Sequence, residues 1–328
     1  MRARGPRASR TCRGPGTRRD PRLSLLPVRR GWRGRNSLDA EIVRCRDSWP
    51  SATLPASFGR TTRRLGGPTP PQHGVSSSRT KSKDGVVSTA DDYLAEGSLV
   101  LGGGAALLLQ LAHPTVARAV AGHSRFASDP MRRLRHTLGY VYAIGLGTPE
   151  VAEAAARAVD RAHRGIPGAV DPEPQLWVAA TLYGVGMQVH EVLFRPLPDA
   201  VADEVYTVSG RFGTSLQVPE GMWPATRADF AAYWERMLPT LAVGEEARAV
   251  AHGILHPARG TVPAWVRAVL PLARLTTAAL LPEAIRDAYG LPRRPRRERA
   301  ALALARALAR LTPRRIRRLP SRLLLPRG

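Results

Sequence analysis

The chain has 328 residues, enough for one large domain or two small ones, and a formal net charge of +24. Residues 1–85 contain 20 Lys+Arg and 5 Asp+Glu, residues 293–328 contain 13 and 1, and the middle is slightly acidic. Because the excess charge belongs to the two ends, the high isoelectric point does not identify a nucleic-acid-binding protein. The only two cysteines, Cys12 and Cys45, lie in the basic N-terminal segment. This placement excludes a disulfide framework and a cysteine-ligated metal or haem in the core.

The N-terminal segment, residues 1–85, is rich in Arg, Pro, Gly and Ser and shows no sustained helical or strand periodicity. Such a segment cannot bury enough apolar area to offset its chain entropy, so we expect it to be disordered. Its composition is similar to that of a transit peptide. Because lysine supplies only two of the 50 basic residues, codon bias or a start codon placed too far upstream is the simpler explanation.

From Thr89 onward the pattern predicts successive helices and essentially no strands. Asp129-Pro130, Thr148-Pro149 and Asp171-Pro172 each place a capping side chain before a proline suited to the first helical position. The predicted helices include Met131–Ile144, Val151–His163, Leu176–Phe194, Ala200–Phe212, Ala228–Leu238, Glu245–Ile254, Ala264–Leu281, Glu283–Tyr289 and Arg297–Leu311. We therefore expect residues 86–328 to form one all-α domain that ends in a basic helix.

Val100–Val120 is the most apolar stretch of the chain. Three glycines, Gln110, His113-Pro114 and Arg118 make it a poor membrane span. We expect instead a helix buried on all sides, which is kinked or restarted at Pro114.

Five of the eight histidines lie between residues 113 and 190, within apolar helical sequence. Because histidine is the commonest metal ligand and titrates near neutral pH, this segment predicts a site that bears a metal. Arg133, His136 and Thr137, at i, i+3 and i+4, share one helix face. Together they suit either the propionates and distal pocket of a haem or an anionic substrate. His163 ends the next helix, and we expect it near the start of the preceding one because closely linked helices usually pack antiparallel.

The same residues also have purely structural interpretations. A helix dipole favours a histidine such as His163 at its C-terminal end. His113 can satisfy a neighbouring helix end, and His123 with Arg125 can organise a loop through hydrogen bonds. Arg133 can form a surface ion pair.

Several motifs are absent. His190-Glu191 is expected to pack or pair locally, because HEVLF does not complete the H-E-x-x-H zinc motif. Gly102–Gly104 has neither the preceding strand nor the spacing of a dinucleotide-binding loop. The sequence also has no P-loop, nucleophile elbow or paired-carboxylate pattern.

A family resemblance rests on four ordered segments: GGGAALLLQLAHPTVARAVAGHSRF, DPMRRLRHTLGYVYAIGLGTPEVAEAAARAVDRAHRGIPG, LWVAATLYGVGMQVHEVLFRPL and ILHPARGTVPAWVRAVLPLARLTTAALLPEAIRDAYGLP. They resemble the uncharacterised bacterial proteins that are grouped with the fungal MpaB-type oxygenases and the latex-clearing rubber oxygenases. The resemblance covers roughly residues 90–325. It implies an all-α fold that encloses a haem b pocket, and dioxygen chemistry on isoprenoid double bonds.

The resemblance also implies roles for individual residues. The Arg-x-x-Lys-Thr motif of the rubber oxygenases falls on Arg133, His136 and Thr137, and their proximal histidine matches His163. His163 is then the axial iron ligand, and His136 is a distal ligand or proton donor. Arg133 and Thr137 orient bound oxygen or the haem propionates.

This chain departs from the rubber oxygenases at two positions. His136 replaces a lysine that caps the iron in a closed state; a histidine there would give bis-histidine ligation. Ala179, in LWVAATL, stands where many relatives have histidine. The first departure puts polyisoprene as the substrate in doubt, and the lack of a secretion signal argues against an extracellular polymer.

We therefore expect a haem b-dependent oxygenase, cytoplasmic or membrane-peripheral, that acts with dioxygen on a lipophilic, isoprenoid-like small molecule. His113 and Arg125 are further expected to contact the cofactor. The alternative is a non-catalytic helical protein that binds haem or lipid without turnover. No nucleic-acid partner is expected.

The basic ends are expected to contact an anionic membrane. Arg297–Leu311 carries an apolar stripe beside Arg299, Arg306 and Arg310, and the basic run Arg314–Arg318 follows. We expect the stripe to pack against the domain and the exposed arginines to attract anionic lipid.

Deleting residues 1–85 should leave the folded domain and its cofactor content unchanged, because that segment cannot support a core. Thermal unfolding and cofactor absorbance of the truncated and full-length chains provide the comparison. An insoluble truncated protein, or one without a thermal transition, would contradict the prediction.

Overall fold

The computed structural model describes residues 87–122 and 130–325, which belong to one compact unit. This part of the chain is helical and has no strand, which confirms the all-α prediction. The N-terminal segment, His123 and Arg125 lie outside the described residues. The α-helices are α1 (Ala90–Leu94), α2 (Gly103–Leu111), α3 (Pro114–Ala121), α4 (Pro130–Leu146), α5 (Pro149–His163), α6 (Pro172–Leu193), α7 (Asp199–Thr214), α8 (Arg227–Met237), α9 (Glu245–Leu255), α10 (Ala264–Leu280), α11 (Glu283–Ala288), α12 (Pro295–Leu311), α13 (Arg314–Arg317) and α14 (Leu319–Leu324). Short 3₁₀ helices occupy Gly97–Gly102, Glu220–Met222 and Leu238–Thr240.

Proline and the residue before it set several helix starts. The Thr148 hydroxyl accepts a hydrogen bond from the backbone N–H of Val151, and Pro149 occupies the first turn of α5, as predicted. Asp171 also stands at the N-cap of α6, but its side chain makes no capping hydrogen bond, so that part of the prediction is wrong. The proline alone marks this start, because it needs no backbone donor there.

The apolar stretch restarts at Pro114, as predicted. The segment Gly97–Leu111 and helix α3 meet at 102°. The expected burial on all sides is met only in part in α2, where five of the nine residues are buried, and not in α3, where Ala117 is the only buried residue. No single described helix is long and apolar enough to cross a bilayer, and this bent pair meets that test only when taken together.

The restart leaves backbone carbonyls at the buried end of α2 without helical partners, since a proline has no N–H to donate. Side chains and backbone from distant elements supply the missing donors. The Trp177 indole N–H donates to Leu109 O at 2.9 Å. The Tyr289 hydroxyl donates to Leu108 O at 2.8 Å, as a second donor beside the backbone N–H of Ala112. The backbone N–H of Ala242 donates to Ala112 O at 2.8 Å. The end of α2 therefore fixes three other parts of the chain.

Helix α6 forms the centre of the core, with 15 of its 22 residues buried. It packs against α2, α7 and α12. An aromatic cluster lies beside it, in which Tyr183 contacts Phe230 edge-on at a ring-centroid distance of 4.8 Å and Trp177 contacts Trp234 at 5.1 Å. Gly184 lets the Trp234 ring approach the α6 backbone, because a β-carbon there would overlap the ring.

The C-terminal end of α6 is capped by arginines of α12. Arg306 Nε donates to Val192 O at 2.7 Å and Arg310 Nε donates to Leu193 O at 3.2 Å. A cation at this end also interacts favourably with the helix dipole. These two arginines, predicted to attract lipid, are thus engaged in holding α12 on α6.

The basic run Arg314–Arg318 forms α13 and the residue after it, which the sequence did not predict to be helical. Arg317 forms a buried ion pair with Glu96, which is 4% exposed as a side chain. Arg314, at 3.0 Å, and Arg318 both pair with Asp92. These ion pairs attach the C-terminal chain to the start of the domain.

His190 is the most deeply buried histidine among the described residues, at 2% exposure. Neither ring nitrogen has a hydrogen-bond partner, and the ring packs against Tyr93 and Phe194 with centroid distances of 5.5 and 5.2 Å. The predicted local packing is confirmed by the Phe194 contact. Burial lowers the pKa of His190 to about 4, Glu96 acts in the opposite direction, and Arg317 lowers the pKa further.

His190 should make the protein less stable in mild acid. Below the unfolded-state pKa of 6.5 the unfolded chain binds a proton that the folded state refuses down to about pH 4. The contribution of the neutral His190 to the free energy of unfolding is therefore fully present above pH 6.5. It decreases as the pH falls through that window, by about 2 kcal/mol at about pH 5. His190→Leu should remove this part of the pH dependence in urea unfolding.

The control is His252→Gln, which changes an exposed histidine of α9. Between about pH 7.5 and about pH 5, this variant should lose as much free energy of unfolding as the wild-type protein does. An equal loss of stability in wild type and His190→Leu over that range would show that His190 does not cause it.

Candidate functional site

Helices α4 and α5 form an antiparallel hairpin that places Arg133 beside His163. They pack against each other and are joined only by Gly147 and Thr148. The last residue of α5 therefore lies near the first turn of α4, as the sequence predicted. Burial lowers the pKa of His163, the nearby Arg133 guanidinium lowers it further, and Asp160 raises it.

His163 has the properties of a side chain that can ligate a metal. It is partly buried, and its Nδ1 is buried without a hydrogen-bond partner among the described residues. The lowered pKa keeps the imidazole neutral at pH 7, which is the form that binds metals.

His113 lies at the corner between α2 and α3. It occupies the N-cap of α3 but makes no capping hydrogen bond, and its Nδ1 is also buried without a partner. This atom therefore does not satisfy a neighbouring helix end. Burial lowers the pKa of His113, Glu173 raises it, and Arg118 lowers it.

The loop after α5 brings His113 and His163 to the same end of the domain. Gly168, at φ +77°, lies so close to Thr115 that a β-carbon would overlap the Thr115 methyl group. Thr115 is two residues after His113, and Gly168 is five residues after His163. The loop after α5 therefore contacts the start of α3, within a few residues of both histidines in the chain.

The three predicted residues of α4 differ in exposure. Arg133 and His136 have exposed side chains, and Thr137 is partly buried. Protein nevertheless surrounds the Arg133 guanidinium closely enough to lower its pKa by desolvation. The structure thus brings Arg133 to His163, and leaves His136 one turn further along α4 at the surface.

The hairpin is the least buried part of the fold around these residues. Ala152 is the only buried residue of α5, and residues 131–141 of α4 contain none. Apolar side chains at Leu134, Leu138 and Val159 are only partly covered. A bound apolar ligand would cover these side chains further.

A haem is one group that the histidine of this hairpin would fit. The described residues contain no group of three or more His, Cys, Asp or Glu side chains that could hold a metal ion. A haem iron takes four ligands from the porphyrin, so one axial histidine is enough. The unpartnered nitrogen of His163 and the apolar sides of α4 and α5 meet that requirement.

Two positions of α6 do not contribute to this region. Glu173 marks the end of α6 that is near His113. His190 lies 17 residues after Glu173, which corresponds to about 26 Å along the helix. Ala179 is 1% exposed and packs in the core. The polar nature of His190 could be seen in the sequence, but its burial depends on residues more than 90 positions away in the chain, such as Tyr93.

Comparisons with known proteins identify the family of this chain. A family model for the catalytic domain of the ER-bound oxygenases mpaB/B′ and of rubber oxygenase matches residues 91–312. Two uncharacterised proteins, from Mycobacterium tuberculosis and Mycobacterium bovis, are each 38% identical over 192 residues, which is 54% of this chain and 74% of the relative. No solved structure matches. The resemblance found in the sequence is therefore confirmed, and the chain belongs to the mpaB and rubber oxygenase catalytic-domain family.

Proposed function

We propose that this protein is a haem b-dependent oxygenase that uses dioxygen to oxidise a lipophilic, isoprenoid-like small molecule. The observation that carries the proposal is the neutral, partly buried His163 with an unpartnered Nδ1, in a chain whose family consists of oxygenase catalytic domains. The incompletely covered apolar sides of α4 and α5 support a lipophilic ligand.

In this proposal His163 would hold the iron, and His113 and Arg125 would contact the cofactor. When bound, the haem supplies the iron centre at which dioxygen is activated. The apolar side chains of α4 and α5 exclude water from the porphyrin and the substrate.

The residues of α4 then bind and orient charged groups. The Arg133 guanidinium would donate charge-assisted hydrogen bonds to a haem propionate or to a polar group of the substrate. The Thr137 hydroxyl would donate a hydrogen bond to the same group. His136 either holds a proton at an imidazole nitrogen or serves as a second iron ligand.

A second candidate function is a helical haem- or lipid-binding protein without turnover. Two observations favour it: His136 stands in place of the motif lysine, and Ala179 stands in place of a histidine. Oxygen consumption by the purified protein with a prenyl substrate separates the two, because only an oxygenase consumes oxygen in proportion to product.

Replacing His163 should release the haem. Without the axial bond, His163→Ala should fold but retain less than about a tenth of the wild-type haem, because only apolar contacts remain. The haem-to-protein absorbance ratio after matched purification with haem supplementation measures this. His252→Ala, at an exposed position of α9, should retain the full ratio. A normal ratio in His163→Ala, or a parent protein without haem, would leave the proposal without support.

Replacing His136 should change the electronic state of the iron but keep the haem. Loss of a distal ligand or proton donor opens the sixth position to water or oxygen, so His136→Ala should shift the Soret band and the high-spin fraction. Arg135→Ala is the matched control, since Arg135 is the adjacent exposed residue of α4. Identical spectra for His136→Ala and Arg135→Ala would exclude His136 from the distal side.

A further inference from the structure

The outward side of α12 is apolar and uncovered. Its inward side contains Ala301, Ala305 and Ala309, which are buried against the domain. On the other side Leu304, Leu308 and Leu311 are 51%, 50% and 81% exposed. These three leucines, spaced at i, i+4 and i+7, form one line that we call the leucine ridge. The sequence predicted that the apolar stripe packs inward; the alanines do so, and the leucines do not.

Exposed apolar side chains continue on neighbouring elements. Ile316 and Leu323, in α13 and α14, are 53% and 75% exposed. Helix α10, which packs against α12, exposes Trp265 at 64% and Val269 at 47%. Single exposed apolar residues are ordinary, but a line of leucines on one helix usually indicates an interaction surface.

The charge around the ridge is positive. Residues 293–325 contain twelve arginines and one acidic residue, Glu298. The Glu298 side chain is buried and accepts a hydrogen bond from the backbone N–H of Arg294 at 2.6 Å. Helix α10 beside the ridge contains no acidic residue in its sequence. Two further carboxylates near the start of α12, those of Glu283 and Asp287, both pair with Arg293.

Several of these arginines form hydrogen bonds or ion pairs within the protein, whereas Arg296 and Arg297 extend into solvent. Both are exposed and lie in the first turn of α12. Basic side chains at a helix N-terminus oppose the helix dipole, so these two do not stabilise α12. Arg297 is seven residues before Leu304 and therefore lies on the same line of the helix as the ridge.

We propose that the leucine ridge is a docking surface for an anionic lipid bilayer. The leucines enter the boundary between headgroups and acyl chains, and Arg296 and Arg297 bind lipid phosphate. A second copy of this chain would bring two positive surfaces together, so charge favours the lipid over self-association. The proposal does not depend on the haem, and it concerns a surface separate from His113 and His163.

The test is co-sedimentation of the full-length protein with vesicles of phosphatidylcholine alone or mixed with phosphatidylglycerol in a roughly 7:3 ratio. The variant Leu304→Ser/Leu308→Ser/Leu311→Ser keeps the charge and should bind the mixed vesicles about tenfold or more weakly. The control Val170→Ser/Met222→Ser removes two exposed apolar side chains elsewhere and should bind as wild type does. Arg296→Gln/Arg297→Gln should weaken binding to mixed vesicles and make it less dependent on salt.

The charge-preserving leucine variant separates the ridge from the basic N-terminal segment, which can also attract anionic vesicles. Unchanged binding by this variant would assign the binding to the other basic end and overturn the proposal. Equal binding of the wild type to both kinds of vesicle would overturn it as well. So would a wild-type dimer that becomes monomeric in the leucine variant without a change in vesicle binding, because the ridge would then join two copies.

Discussion

The buried end of α2 is the constraint on which the rest of the fold depends. Pro114 stops the helix inside the core, where each unsatisfied carbonyl costs about 1–3 kcal/mol. Trp177 from α6 and the backbone of Ala242 provide donors, and Tyr289 after α11 adds a second donor to Leu108 O. These contacts fix the positions of elements that are far apart in the sequence. The same break turns α3 by 102° and leaves His113 at the corner between α2 and α3.

The fold therefore has a well-buried centre and a lightly buried hairpin. The centre consists of α2, α6 and the aromatic cluster, whereas α5 has a single buried residue. Regions with few buried apolar contacts open at lower free energy than the core. A ligand that covers the apolar sides of α4 and α5 would add the missing contacts and stabilise that region in proportion to its affinity.

Local features of the sequence predicted most helices and the closeness of Arg133 to His163. Proline at a helix start and a two-residue link between helices act over a few residues, so both are visible without a structure. The sequence did not reveal the burial of His190 or the roles of Arg306 and Arg317. Their partners lie 114 and 221 positions away for the two arginines, and such distant pairings leave no periodic pattern. Asp171 shows the opposite case, since a local capping pattern occurs without the hydrogen bond.

The arginines of the C-terminal segment fall into two groups, those bound within the protein and those exposed in the first turn of α12. Arg306, Arg310 and Arg317 bind carbonyls and a buried carboxylate, so their charge holds the segment on the domain rather than attracting a partner. The arginines in the first turn of α12 have no such use. The segment then reaches α4, the first helix of the α4–α5 hairpin. Leu324 O lies 3.5 Å from the position that a β-carbon of Gly139 would occupy, and Gly139 is two residues after Thr137. One continuous stretch of chain thus runs from the exposed leucines of α12, through the ion pairs with Asp92 and Glu96, to the helix that carries Arg133.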